Sequence, residues 1–157
     1  MAKVMRHMIG DYLGIGVTPA YVLMGTGFVS INESPTAKVD KTAYVNNTSA
    51  TGTITGYENV FAFDTQFIES DEAVAAIYDI ARNQKTGSDA ELYYVRVDLF
   101  DTPTEGAYPA RRFKVAVEVS SIEGNGNEIV HVKGNMHQVG DLENGTFDPS
   151  ALTFTAA

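Results

Sequence analysis

Three stretches in the second half of the chain alternate apolar and polar residues with a period of two, and nothing else in the sequence constrains the fold as much. From Glu91 to Phe100, Tyr93, Val95, Val97 and Leu99 alternate with Leu92, Tyr94, Arg96 and Asp98. From Arg111 to Ile122, Phe113, Val115, Val117 and Val119 alternate with Arg112, Lys114, Ala116, Glu118 and Ser120. From Glu128 to Gln138, Val130, Val132 and Met136 alternate with His131, Lys133, Asn135 and His137. Successive side chains of a strand point to opposite faces, so each stretch is predicted to have a core face and a polar face. That is the pattern of an antiparallel sheet wet on one side. Asp101–Pro109 is expected to be a loop, Ser121–Gly126 a turn, and Ala151–Thr155 a short last strand.

The first half is read the same way. A β region is predicted from Tyr21 to Ile31, ended by a turn at Glu33-Ser34-Pro35, because proline removes a ladder donor. Tyr44–Gly52 is small, polar and turn-rich, and reads as an exposed loop or the tip of a long hairpin. Thr53–Phe67 reads as one strand with Thr53, Thr55, Tyr57, Phe61, Phe63 and Phe67 on one face. A single helix is predicted over residues 70–83. Ser70 is the expected N-cap, Asp71 and Glu72 suit the positive end of the dipole, and Arg82 and Lys85 the negative end. Its apolar face is expected to be Val74, Ile77, Tyr78 and Ala81. Residues 1–20, with Gly10, Gly14, Gly16 and Pro19, read as an extended, irregular N-terminal arm. The expected fold is mainly β (α+β): an antiparallel β-sandwich or open barrel with one flanking helix, in a single domain over 1–157.

Composition narrows the function. The net charge of −9 argues against ordinary nucleic-acid binding, which depends on Lys and Arg neutralising phosphates. The absence of cysteine removes disulfides, thiolate metal sites and cysteine catalysis. No apolar run near the start has the length a secretion signal needs, and none approaches the ~20 residues of a membrane span, so folding in a reducing cytoplasm is expected.

No catalytic arrangement stands out, and no cofactor or metal is implied. His131 and His137 share a predicted strand face but lie roughly 20 Å apart, too far to share an ion. Asp98 and Glu118 could meet as an acid pair on neighbouring strands, yet no Trp is available to stack on a sugar. Gly14-Ile15-Gly16 and Gly25-Thr26-Gly27 lack the spacing of phosphate loops. Asp141–Gly145 lacks the later glutamate of a calcium loop, and Asn144-Gly145 reads as a hairpin turn. Acids dominate between Lys41 and Arg82, while Arg111, Arg112 and Lys114 cluster later. Such segregation suits either contact between copies or pairing of the same groups within one chain.

The order of these elements carries a resemblance. It includes Gly56-Tyr57-Glu58-Asn59-Val60-Phe61-Ala62-Phe63, an acid-capped helix, Leu92-Tyr93-Tyr94-Val95-Arg96-Val97-Asp98 and Val117-Glu118-Val119-Ser120. It closes with Val132-Lys133-Gly134-Asn135-Met136-His137-Gln138-Val139-Gly140-Asp141 and Gly145-Thr146-Phe147-Asp148. From about Tyr21 onward the chain resembles the major tail tube proteins of long-tailed bacteriophages.

That resemblance implies a structural virion protein rather than an enzyme. Its subunits would form homo-hexameric rings, each contributing strands to an inner barrel, stacked into a conduit for phage DNA during ejection. Residues 42–52 would be the stacking loop, with Tyr44, Asn46, Asn47 and Thr48 as inter-ring contacts, and residues 1–20 a second one. An acidic bore would let DNA slide without sticking; Asp64, Asp98 and Glu118 are the candidate lumen-facing acids, with Arg96 and Lys114 on the same faces. The implied partners are itself and the tape-measure, tail-terminator and distal tail proteins, with DNA as transient cargo and no membrane. The implied place is the virion tail, assembled in the bacterial host cytoplasm. Two alternatives stand beside it: a monomeric β-barrel holding a small ligand, and the tube subunit of a contractile injection particle. An apolar cavity in a monomer would favour the first.

Overall fold

The computed structural model describes residues 2–157. It is mainly β with one helix, as the alternation predicts. The strands are β1 (Ile9–Ile15), β2 (Ala20–Leu23), β3 (Phe28–Ser34), β4 (Ala37–Thr42), β5 (Thr51–Tyr57) and β6 (Val60–Gln66). Helix α1 (Glu72–Arg82) follows, then β7 (Glu91–Asp98), β8 (Tyr108–Glu123), β9 (His131–Asp148) and β10 (Thr153–Ala156). One antiparallel sheet runs in the order β2-β1-β7-β8-β9-β6-β3, with β10 pairing to the far half of β9. β4 and β5 form a separate two-stranded hairpin.

The sheet curls round its larger core. Leu13, Ile31, Phe61, Phe63, Tyr94, Phe113 and Met136 point inward, and α1 lays Ala73, Val74, Ile77 and Ile80 on them. The rings of Phe61, Tyr94 and Phe113 lie 4.7, 4.8 and 6.1 Å apart pairwise and fill the centre. A smaller cluster on the other face joins Tyr12, Tyr21, Val95, Val97, Ala110 and Phe147. β7 sits between the two clusters, so Tyr94, Val95, Arg96 and Val97 are all buried. The expected polar face of β7 is therefore interior.

Arg96 is held inside by a charge network. Its guanidinium donates to the Tyr94 hydroxyl at 3.2 Å and lies 3.9 Å from both Asp11 and Glu33. Tyr94 in turn hydrogen-bonds Asp11, and burial, then the Asp11 charge, pushes its hydroxyl pKa well above the ordinary value. Arg111 grips Glu33 through two bonds of 2.9 Å, and Arg6 reaches Asp11 at 2.6 Å and the Ile31 carbonyl at 3.3 Å. These contacts tie β1 to β3, strands far apart in the sheet order, so they brace the curl. Charge-assisted, bidentate bonds are the strong kind, and they satisfy groups that would be costly to bury alone.

Several local expectations are corrected. The arm at 1–20 is not irregular: β1 pairs with β2 and β7, and Leu13 is fully buried. The 53–67 strand is two strands, broken at Glu58-Asn59 where the chain leaves the hairpin for the sheet. Thr53, Thr55 and Tyr57 are consequently exposed, whereas Phe61 and Phe63 are core. The helix N-cap is Asp71, whose carboxylate accepts from the Ala73 and Val74 amides at 3.0 and 3.2 Å, rather than Ser70. Ile80 is buried on the helix face in place of Ala81, which is only half-buried, as is Tyr78. Asn144-Gly145 is no turn, since both residues lie inside β9 opposite Arg111 and Ala110. A side chain at Gly145 would strike the Thr155 carbonyl, so glycine lets β10 close on β9. The irregularity comes earlier, where residues 140–142 bulge between the Arg112–Glu143 and Lys114–Val139 pairs.

Candidate assembly surfaces

The outer face of β8, β9, β6 and β3 is polar. Register sets two cross-strand rows on it: Ser30, Asp64 and Lys133 on β3, β6 and β9, and Asn32, Ala62, Asn135 and Glu118 on β3, β6, β9 and β8. His131 Nδ1 lies 2.8 Å from Asp64, His137 Nε2 lies 2.8 Å from Glu118, and Lys133 Nζ lies 2.7 Å from Glu123. The hydrogen bonds from His137 and then Asn135 hold the Glu118 carboxyl below its ordinary pKa. Asp64 and Glu118 thus share one face, each beside a different histidine.

Asp98 is not on that face. It ends β7 opposite Ile9, on the same side as Arg96, and burial pushes its pKa up against the pull of Arg111. Asp98 and Glu118 therefore lie on opposite sides of the sheet and do not form an acid pair. Arg96 is likewise interior, whereas Lys114 stays on the outer face, 4.0 Å from Glu91. Among the described residues no group of three or more His, Asp or Glu side chains is placed to hold a metal.

The same four strands have two open edges. β3 pairs with β6 on one side only. β7 reaches along β8 only as far as Ala116, so residues 117–123 pair with β9 alone. Neighbours in this sheet are all antiparallel, so β3 and β8 run in opposite directions. The β3 edge of one copy and the β8 edge of another can pair antiparallel and continue the alternation.

The hairpin projects from the end of the sheet where β3 stops and β6 starts. Its tip carries Tyr44, Asn46, Asn47 and Thr48, all exposed, with a turn closed by the Asn47 amide to the Tyr44 carbonyl at 3.1 Å. The 42–52 segment is thus the tip of a long hairpin, one of the two expected forms. One hairpin face is apolar: Val39 pairs with Ile54 and Ala37 with Tyr57. Val39, Ile54 and Tyr57 are 53, 58 and 65% exposed. Sequence reading missed Val39 and Ile54, because one apolar residue per short strand shows no period.

Comparison with known proteins gives a fold. No family model matches the sequence, and no curated protein matches it. Among solved structures, the chain is similar to a chain of the six-fold symmetrised anti-feeding prophage baseplate, at a TM-score of 0.58 and 9% identity. The likeness covers 92% of this chain and 96% of that one. At that identity it establishes a shared fold across nearly the whole domain.

Within one chain the basic cluster does not pair with the acidic segment. Arg111 pairs with Glu33, Arg112 with Glu143 and Lys114 with Glu91. Acids of the 58–79 segment pair with Lys38, Lys85 and His131 instead. No helix among the described residues is long and apolar enough to cross a membrane.

Proposed function

We propose that this chain is a structural subunit of a phage-type tail, forming hexameric rings that stack into a DNA conduit. The observation that carries the reading is the pair of open edges, β3 and residues 117–123 of β8, on one four-stranded sheet with a polar outer face. An edge on each side of the same sheet makes a heterologous contact, which closes into a ring when the rotation allows. The fold neighbour belongs to a six-fold symmetrised assembly, which suggests the ring number. Six such sheets, at about 4.8 Å per strand and ~40° of tilt, would close at roughly 45–50 Å between opposing backbones. Side chains would narrow that bore but leave it wider than a DNA duplex. The bore would carry Asp64 and Glu118, with Lys133 balanced by Glu123; a wall without free positive charge gives phosphates little to bind.

Tape-measure, terminator and distal tail proteins are the partners this role requires, and the virion tail is its place. The filled aromatic centre supports this reading over a ligand-holding barrel. A second reading, the tube subunit of a contractile injection particle, is as compatible with the baseplate neighbour as the first. Negative-stain imaging of the concentrated full-length protein tests the proposal. Hollow rings or tubes are expected; a monomer that forms neither at any concentration, with or without tail initiator proteins, would refute it.

A further inference from the structure

The hairpin leaves an apolar face uncovered, and the opposite end of the same sheet leaves an apolar groove. Phe67, Tyr78, Ile122, Ile129 and Val130 line a cleft of about 490 Å³ there. Ile122, Ile129 and Val130 are 46, 57 and 41% exposed, and the Phe67 and Tyr78 rings meet edge to face at 4.5 Å to form its floor. We propose that this groove receives the Val39–Ile54–Tyr57 face of the β4–β5 hairpin from a second copy of the chain, head to tail. The inference rests on the tube reading, which it deepens by naming the receptor.

Three observations point to that occupant. First, the positions match a stack. The hairpin joins β3 and β6 at Ser34 and Val60, while the groove lies at the other end, at Phe67 just past β6 and Ile122 beside the end of β8 at Glu123. A contact between opposite ends of one subunit repeats without limit along an axis. Second, a two-stranded hairpin alone is marginal in water and needs a surface to lie on. Its apolar residues all fall on one face, while Lys38, Asp40, Thr42, Thr51 and Thr53 take the other. Third, the charges agree. Exposed Lys41 sits on the apolar face beyond Val39, and the groove end carries exposed Glu69 and Glu128. One hairpin buries little area, but a ring presents several at once, so contacts too weak for a free pair hold between rings.

The chain has no cysteine, which makes cross-linking unambiguous. The full-length variant carrying Ile54→Cys and Ile129→Cys is oxidised at high concentration and run on a denaturing, non-reducing gel, with parallel imaging. Ile54 lies on the hairpin beyond one end of the large sheet and Ile129 at the other end, and β6 alone spans about 20 Å between them, so one chain cannot bridge itself. A ladder of covalent oligomers is expected, together with single bands or dimers from each single variant. The control pair Ile54→Cys with Val17→Cys, whose second site is fully exposed in the β1–β2 turn, is expected to give no ladder. Tubes without a ladder, or equal ladders from both pairs, overturn the receptor assignment and leave the tube reading standing. A ladder without rings or tubes upholds the pairing and removes the conduit. Neither ladder nor tubes overturns both.

Discussion

The charge network that braces the curled sheet gives a sharp stability prediction at Glu33. Its carboxylate takes two bonds of 2.9 Å from Arg111 and one of 3.4 Å from Asn59, and lies 3.9 Å from Arg96 Nε. Burial alone would raise its pKa, but the bonds and charge of Arg111, with Arg96 and Asn59, hold it below the ordinary 4.5. Glu33→Gln keeps the shape and one acceptor while removing the charge. Breaking a fully buried pair costs about 3–5 kcal/mol, and an exposed one about 0–1. Glu33 is 20% exposed and Arg111 30%, so Arg111 can partly rehydrate, whereas Arg96 at 8% cannot. The intermediate value, about 2 kcal/mol at pH 7, corresponds to a Tm roughly 4–8 °C lower for a chain of this size. A carboxyl whose pKa is lowered on folding stabilises the protein above its unfolded pKa and loses that contribution as pH falls through its folded one. The gap between wild type and variant should therefore be full at pH 7 and shrink below about pH 4.5. Urea unfolding followed by far-UV circular dichroism, below the assembly concentration and at both pH values, measures it, with m unchanged. A difference under about 0.5 kcal/mol at pH 7, or one that persists undiminished in acid, would refute the reasoning.

Other perturbations test separate parts of the fold. Asp71→Ala should cost about 1 kcal/mol in the same assay while Ser70→Ala stays near zero; the reverse would restore Ser70 as the cap. Gly134→Ala should give insoluble protein, because the new methyl would strike the Glu118 carbonyl beside the register shift between Val119 and Ser121; a soluble variant with wild-type Tm would contradict that packing. Asp98→Asn should raise Tm at pH 7 but not in acid. Burial raises this acid's pKa on folding, so ionising it above the ordinary 3.8 costs stability that the amide does not lose.

Period-two alternation made β8 and the first half of β9 legible, because each has one wet face and one dry face. β7 has the same alternation, but both its faces are interior, and Arg96 reads as a solvent residue although Asp11, Glu33 and Tyr94 enclose it. Asp11 hid β1 for the same reason: a buried carboxylate between glycines looks like a loop until its arginine and tyrosine partners, 5 to 85 residues away in sequence, are in place. The second half of β9 was hidden by Asn144-Gly145, a strong local turn signal overridden by pairing to β8 on one side and β10 on the other. Parity on β6 and β8 placed Asp64 and Glu118 on one polar sheet face, and it misplaced Asp98, where the strand carrying it passes into the core. The hairpin tip could be read from its polar, turn-rich residues. Its apolar face could not, since Val39 and Ile54 are joined only by cross-strand register.

The central claim is that the polar face of β8-β9-β6-β3 lines a bore closed by β3 of one copy pairing with β8 of the next. A cryo-electron map of assembled protein, at a resolution that separates strands, tests it most directly. The account predicts a continuous antiparallel barrel, residues 28–34 of each subunit hydrogen-bonded to 117–123 of its neighbour, with Asp64 and Glu118 facing the axis and α1 outside. Rings built through the β2 edge, or with α1 on the lumen side, would contradict it.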